Sequence, residues 1–240
     1  MRLEDVLFTQ GFGTRHECRG LIALGRVTFD GREVDDPDET VDPVGKVFTV
    51  DDTEWPYHEK ALIVLNKPAG YECSQKPLHH PSVMQLLPPP LRVRGLQPVG
   101  RLDEDTTGLL LLTDDGALIH RLTHPKKHVA KTYEVSCKHP VTDVMIEKLL
   151  EGVMIEGEKV PVAAVRCEKT GETTMRMAIT AGKYHQVKRM TAAVGNRVEI
   201  LSRSEFGAFK LPEDLPERSW RWLTAEEAKA VQQKNFEVLP

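Results

Sequence analysis

Three carboxylates and one guanidinium crowd the stretch Gly100-Arg101-Leu102-Asp103-Glu104-Asp105-Thr106-Thr107-Gly108, and an unbroken aliphatic run, Leu109 to Leu112, follows it. A carboxylate with a cation nearby stays ionised and is free to form or stabilise a transient adduct. The aliphatic run has the character of a buried strand. It would pin the loop to a rigid support while the polar side chains stay exposed, an arrangement in which chemistry is often placed. A polar, glycine-bracketed connection with no chemistry has the same composition, so the loop alone decides nothing.

Positive charge gathers in two other places. Residues 119–131 hold Arg121, Lys126, Lys127 and Lys131 with no carboxylate, and residues 182–203 hold Lys183, Lys188, Arg189, Arg197 and Arg203 against Glu199 alone. Such patches neutralise phosphates, although each alone also fits a solvated face. The formal charge of −4 hides them: residues 35–54 carry one basic and eight acidic side chains, a net −7, whereas residues 55–240 carry 26 and 23, a net +3. Cys18, Cys73, Cys137 and Cys167 show no short spacing, which suits a reducing compartment and gives neither a disulfide framework nor a zinc knuckle. His120, His124 and His128 fall at helical spacing, but Pro125 breaks the helix that would align them, so no metal site is expected. The aliphatic runs 61–65 and 109–112 are too short to span a bilayer, and the start, Met1-Arg2-Leu3-Glu4-Asp5, lacks the apolar stretch of a signal peptide. A cytoplasmic protein with no membrane contact is expected.

The elements that must position these groups follow from period and punctuation. Leu3, Val6 and Leu7 form a short helical stripe, and Thr14 to Glu17 reads as a capping box opening a helix that buries Cys18, Leu21, Ile22 and Leu24 before Gly25. Val27 to Val34 is a hairpin turning at Asp30-Gly31, and Lys46 to Val50 is a further strand. Residues 51–60 lose all periodicity, and a linker is placed at 55–60. Beyond it, Ala61 to Leu65 is a buried strand, Ser82 caps a short helix that ends before Pro88-Pro89-Pro90, and a helix follows Asp115-Gly116. Strands are predicted at 132–137, 159–168, 173–179 and 198–204. Helices are predicted at 142–150, with Met145, Ile146, Leu149 and Leu150 inward, at 184–194, and after Thr224. Strands outnumber helices without strict alternation, so the fold class is α+β.

Arg15 through Asp30-Gly31 resembles the αL-type RNA-binding domain, which implies that Arg15, Arg19 and Arg26 face RNA; Asp5 departs from that pattern, where lysine is common. Asn66-Lys67-Pro68, the Gly100 to Gly108 loop, Lys131-Thr132-Tyr133 and Gly182 to Met190 together resemble the RsuA family of pseudouridine synthases, over nearly the whole chain. The resemblance implies an αL domain at 1–54, a linker at 55–60 and a catalytic domain at 61–240 with a central, mostly antiparallel mixed sheet. It also implies isomerisation of a uridine in RNA to pseudouridine without cofactor or metal. Asp103 then matches the catalytic carboxylate, Lys188 its ion-pair partner and Tyr133 the tyrosine that stacks on the target base. Arg101, Lys131, His185, Gln186 and Arg189 are expected to face RNA, and Lys67, Thr106 and Gly108 to support the loop. The His185-Gln186-Val187-Lys188-Arg189-Met190 form is closest to the enzyme acting on 16S ribosomal RNA, so a monomer working on that RNA, free or in a partly assembled small subunit, is expected. A large-subunit target and a non-catalytic ribosome-assembly module remain the alternatives.

Overall fold

The computed structural model describes residues 1–234; residues 235–240, the end of the expected catalytic domain, lie outside the described residues. The chain forms two compact units, Met1–Ala61 with Met84–Gln97, and Leu62–Val83 with the chain from Pro98 onward.

In the first unit the apolar stripe is fully buried on α1 (Leu3–Thr9). Thr14 and Glu17 form the predicted capping box of α2 (Arg15–Ala23), which buries Cys18 and Ile22. Leu24, expected inside, is 73% exposed, because the helix has ended and Gly25 turns the chain at positive φ. β1 (Val27–Phe29) and β2 (Arg32–Glu33) meet at Asp30 and Gly31, with φ of 51° and 77°, as a type I′ turn requires. β3 (Val47–Val50) pairs with β1 and with β4 (Thr53–Pro56).

β4 corrects the sequence reading, which began the linker at residue 55. Trp55 is buried edge-on against Phe12, with ring centroids 5.3 Å apart, and this aromatic packing outweighs the polar residues around it. Residues 84–97 also depart from the expected contiguous division. α3 (Pro89–Val93) begins on the prolines that were expected to end a helix, since proline in a first turn sacrifices no hydrogen bond. Its Leu91 is fully buried, as is Leu96; Arg94 donates to Gln10 at 2.8 Å, and a Cβ on Gly11 would stand 2.2 Å from the Pro90 carbonyl.

The second unit is built on β5 (Leu62–Lys67), β6 (Gln97–Val99, whose Val99 enters the core), β7 (Thr107–Thr113), β8 (Lys131–Cys137), β9 (Arg166–Lys169), β10 (Thr174–Ile179), β11 (Val198–Phe206), β12 (Phe209–Lys210) and β13 (Trp220–Trp222). Its sheet follows the order β13-β5-β7-β11-β8-β10-β9, and β11 with β7 is the parallel pair among antiparallel neighbours. The fold is thus α+β with a mostly antiparallel mixed sheet. β7 lies between two strands, which explains why its aliphatic run is buried throughout. Leu109 and Leu111 pack with Val64, Phe206, Leu223 and with Leu118 and Leu122 of α4 (Gly116–Thr123).

α5 (Asp143–Glu151) buries Leu149 but leaves Leu150, expected inward, 41% exposed. β9 starts at Arg166 rather than 159, because Pro161 has no N–H for a ladder. α6 (Gln186–Ala193) begins two residues later than predicted. α7 (Ala225–Ala230) carries the expected Thr224–Glu227 capping box.

Candidate active site

The loop after Val99 is shaped by its own backbone and by one buried lysine. Gly100 turns at φ +69°, and the Thr106 N–H returns to the Asp103 carbonyl at 3.2 Å. At Gly108 a Cβ would lie 2.4 Å from the Arg203 carbonyl and 2.7 Å from Ser202 Oγ, so glycine alone lets β7 run this close to β11. Lys67, at the end of β5, is wholly buried and donates to the carbonyls of Pro68 (3.0 Å), Glu104 (3.0 Å) and Thr106 (2.8 Å). Burial pushes its pKa down, while three carbonyls stand in for the water it has lost. Thr106 is buried beneath the same loop. Lys67 thus ties the loop to the end of β5, Thr106 lies buried within it, and Gly108 brings β7 against β11.

The start of α6 brings the cations to the carboxylates. His185 caps the helix in the left-handed region (φ 47°), a costly geometry for a residue with a side chain, and its Nε2 lies 3.4 Å from Asp103 Oδ1. Lys188 Nζ bonds Asp103 Oδ2 at 3.0 Å and both oxygens of Asp105 at 2.7 and 3.0 Å. Burial works against the Lys188 charge, but the hydrogen bonds it donates to Asp105 and Asp103 outweigh it and raise the pKa. For Asp105 burial pushes upward and the Lys188 bond more than reverses it, leaving the carboxyl below its ordinary value. One ammonium thus serves two carboxylates. The sequence reading had missed Asp105, although its place two residues after Asp103 in a tight loop was a usable signal.

A cavity of about 590 Å³ opens beside Asp103 and is lined by Arg101, Tyr133, Lys131, Arg203, His185 and Glu72, among others. Tyr133 on β8 faces Arg203 on β11 across the ladder, and Lys131, two residues before Tyr133, shares its face. Lys131, expected to face RNA, is only 5% exposed and forms part of the cavity wall; burial, with the Arg203 charge adding to it, pushes its pKa down to about 8. Arg203 was read from sequence only as one member of the 182–203 basic patch, not as a site residue. Its inward parity with Leu201 on an alternating strand was the available sign. Glu72 accepts backbone N–H bonds from His79 (2.8 Å), His80 (2.9 Å) and Leu78 (3.0 Å), which pull its pKa down to about 2 and fold the loop that forms one wall.

The remaining expected RNA contacts divide. Arg101 is exposed and lines the cavity. Gln186 corrects the expectation: it is 4% exposed, accepts the Lys183 N–H at 3.1 Å and points its amide at Met190 Sδ, so it closes its own turn. Arg189 donates to the Tyr184 carbonyl at 3.0 Å and braces the same turn. Tyr184 is exposed and stacks on His185, with ring centroids 3.8 Å apart. In the first unit Arg15 pairs with Asp5, Arg19 with Asp38 (2.9 Å) and Glu4 (3.0 Å), and Arg26 with Asp51 (2.6 Å). These arginines stay solvent-accessible, but the acidic residues fold back onto them and offset their charge.

A carboxylate at a cavity mouth, a tyrosine in the wall and cations on both sides, set on a mostly antiparallel mixed sheet, define an enzyme site. Residues 61–193 match the RNA pseudouridylate synthase family, and residues 1–47 match the S4 domain, an RNA-binding unit. The chain is 41% identical over 230 residues to the uncharacterized RNA pseudouridine synthase YtzG of Bacillus subtilis (strain 168), covering 95% of this chain and 96% of the relative. It is 40% identical over 232 residues to ribosomal small subunit pseudouridine synthase A of Escherichia coli (strain K12), covering 96% and 100%. A solved pseudouridylate synthase superposes with a TM-score of 0.69 at 35% identity, covering 96% and 99%. The chain belongs to the RNA pseudouridylate synthase family. It is a pseudouridine synthase with an N-terminal S4 domain, and among the described residues no helix is long and apolar enough to cross a membrane.

Proposed function

We propose that this enzyme converts a uridine of 16S ribosomal RNA, free or in a partly assembled small subunit, to pseudouridine in the cytoplasm, acting as a monomer with Asp103 as the reacting carboxylate. The observation that carries the reading is the Asp103 carboxylate, paired with Lys188 at 3.0 Å, beside a cavity whose wall holds Tyr133. The ribosomal target rests on the small-subunit synthases that match the chain nearly end to end.

In the reaction the C1′–N1 bond breaks, the uracil turns, and a C1′–C5 bond forms; C5 loses a proton and N1 gains one. The bond is unreachable in a stacked helix, so the nucleotide swings out and Arg101, at the exposed rim, meets the opened strand. Tyr133 stacks on the base. Asp103 acts on the nucleoside by attack on the ribose, by addition to the ring or by promoting a glycal, and Lys188 holds the carboxylate in place until then. The S4 domain, read as residues 1–54, adds RNA contact through Arg15, Arg19 and Arg26. Surface ion pairs are worth about 0–1 kcal/mol, so phosphates can replace their carboxylate partners.

Pseudouridine mapping of ribosomal RNA from cells lacking the protein tests the reading. One 16S position should lose its modification, regain it with the parent gene and stay unmodified with Asp103→Asn, while the variant still folds and binds RNA. A full set of 16S pseudouridines in the deletion strain, or rescue by Asp103→Asn, refutes it; a missing large-subunit position instead would move the target.

A further inference from the structure

Lys131 and Arg203 are 5% and 1% exposed, line the cavity, and have no carboxylate partner among the described residues. Arg203 spends Nε on the Leu109 carbonyl (2.8 Å) and Nη2 on the Gly100 carbonyl (3.1 Å), and Lys131 has one long bond to the Thr180 carbonyl at 3.4 Å. Both cations also lie over the Phe206 ring, 5.3 and 5.4 Å from its centroid. Carbonyl dipoles and an aromatic face soften the burial of two like charges but do not neutralise it, and buried charges ordinarily carry a counter-charge.

The carboxylates around the cavity are engaged elsewhere. Asp103 is held by Lys188 and Glu72 by three backbone N–H groups, while the Glu104 side chain is 43% exposed to solvent and pairs with neither buried cation. The counter-charge must then arrive with the substrate. In a uridine within RNA the base and ribose are neutral, and only the phosphodiesters are anionic. We propose that Lys131 and Arg203 form an anion subsite that takes a phosphate flanking the swung-out uridine. This rests on the pseudouridine synthase reading and adds to it. The subsite makes the cavity select a nucleotide already carrying its backbone phosphate, and it fixes which way the nucleotide enters relative to Asp103.

The test is competition by uridine 5′-monophosphate and by uridine against a labelled 16S fragment at matched ionic strength, with pseudouridine formation followed separately. Uridine 5′-monophosphate should displace the RNA at concentrations about tenfold or more below those of uridine, as one charge-assisted hydrogen bond implies. Lys131→Met should abolish that ratio and Lys131→Arg should keep it. Equal potency, no displacement by either compound, or a ratio that survives Lys131→Met overturns the proposal. If Lys131→Met does not fold, the comparison on the parent enzyme decides. Binding needs no turnover, so a parent enzyme that prefers the phosphate but forms no pseudouridine would refute the isomerase reading alone.

Discussion

Lys67→Met tests whether the loop is aimed from below. Methionine keeps the length and removes three donors, leaving the buried carbonyls of Pro68, Glu104 and Thr106 without their ammonium. Each stranded polar group costs about 1–3 kcal/mol, while the parent spends several kcal/mol on burying the ammonium, so the net loss should be about 3 kcal/mol. For a chain of this size that lowers the melting temperature by roughly 6–12 °C. Glu104 lies between Asp103 and Asp105 and Thr106 directly follows them, so releasing these two carbonyls lets the carboxylates drift. A displacement of about 1 Å costs on the order of 100-fold in turnover. The assay is single-turnover pseudouridine formation at saturating RNA beside RNA affinity. The rate constant should fall about 100-fold with affinity little changed, because Lys67 is wholly buried. Parent-like turnover together with parent-like melting would show that the three bonds neither hold the loop nor matter to the chemistry.

Lys188→Met should reduce single-turnover rate far more than Arg189→Met, since Lys188 bonds Asp103 while Arg189 braces the Tyr184 carbonyl; the reverse order would place the ion pair wrongly. Lys131 predicts a pH-dependent stability. Its pKa falls from 10.5 to about 8 on folding, so the burial penalty is fully present below about 8 and is relieved between 8 and 10.5, where the unfolded chain holds the extra proton. At about 1.4 kcal/mol per pKa unit the relief comes to about 3.5 kcal/mol, and denaturant midpoints should shift in favour of the parent over Lys131→Met across that window; a flat difference refutes it. Deleting residues 1–55 should preserve the sheet by circular dichroism but lower solubility, because Leu91 and Leu96 lose the unit that buries them. A soluble truncation as stable as the full chain would contradict that packing.

Local rules made much of this architecture legible. The Thr14 and Thr224 capping boxes, the Asp30-Gly31 turn and the buried β7 run each depend on a few adjacent residues, and each formed as read. The resemblance singled out Lys67 and Lys188, and the structure bonds Lys67 to three loop carbonyls and Lys188 to Asp103. What escaped were properties of pairing between distant segments. Trp55 makes β4 a strand through Phe12, 43 positions away, and residues 84–97 join the first unit through Gln10 and Gly11. Gln186 and Lys131 look like surface polar residues until the turn and the ladder that bury them are known. Arg203 was hidden for the same reason, since its parity on β11 has meaning only once β8 lies beside it.

Asp105 gives the site a charge logic that Asp103 and Lys188 alone would lack. If Asp103 forms a bond to the nucleoside, its negative charge is consumed, and a partly buried ammonium paired only with it would lose its counter-ion at the moment of reaction. Removing one partner of a buried pair is costly because of the charge left behind. With Asp105 at 2.7 Å, Lys188 keeps a counter-charge throughout, so Asp103 can exchange the ammonium for the sugar without stranding a cation. The second carboxylate is also the more exposed of the two, at 59% of its side chain against 30%. Water screens it, which makes it the better place to leave the standing charge while Asp103 faces the cavity.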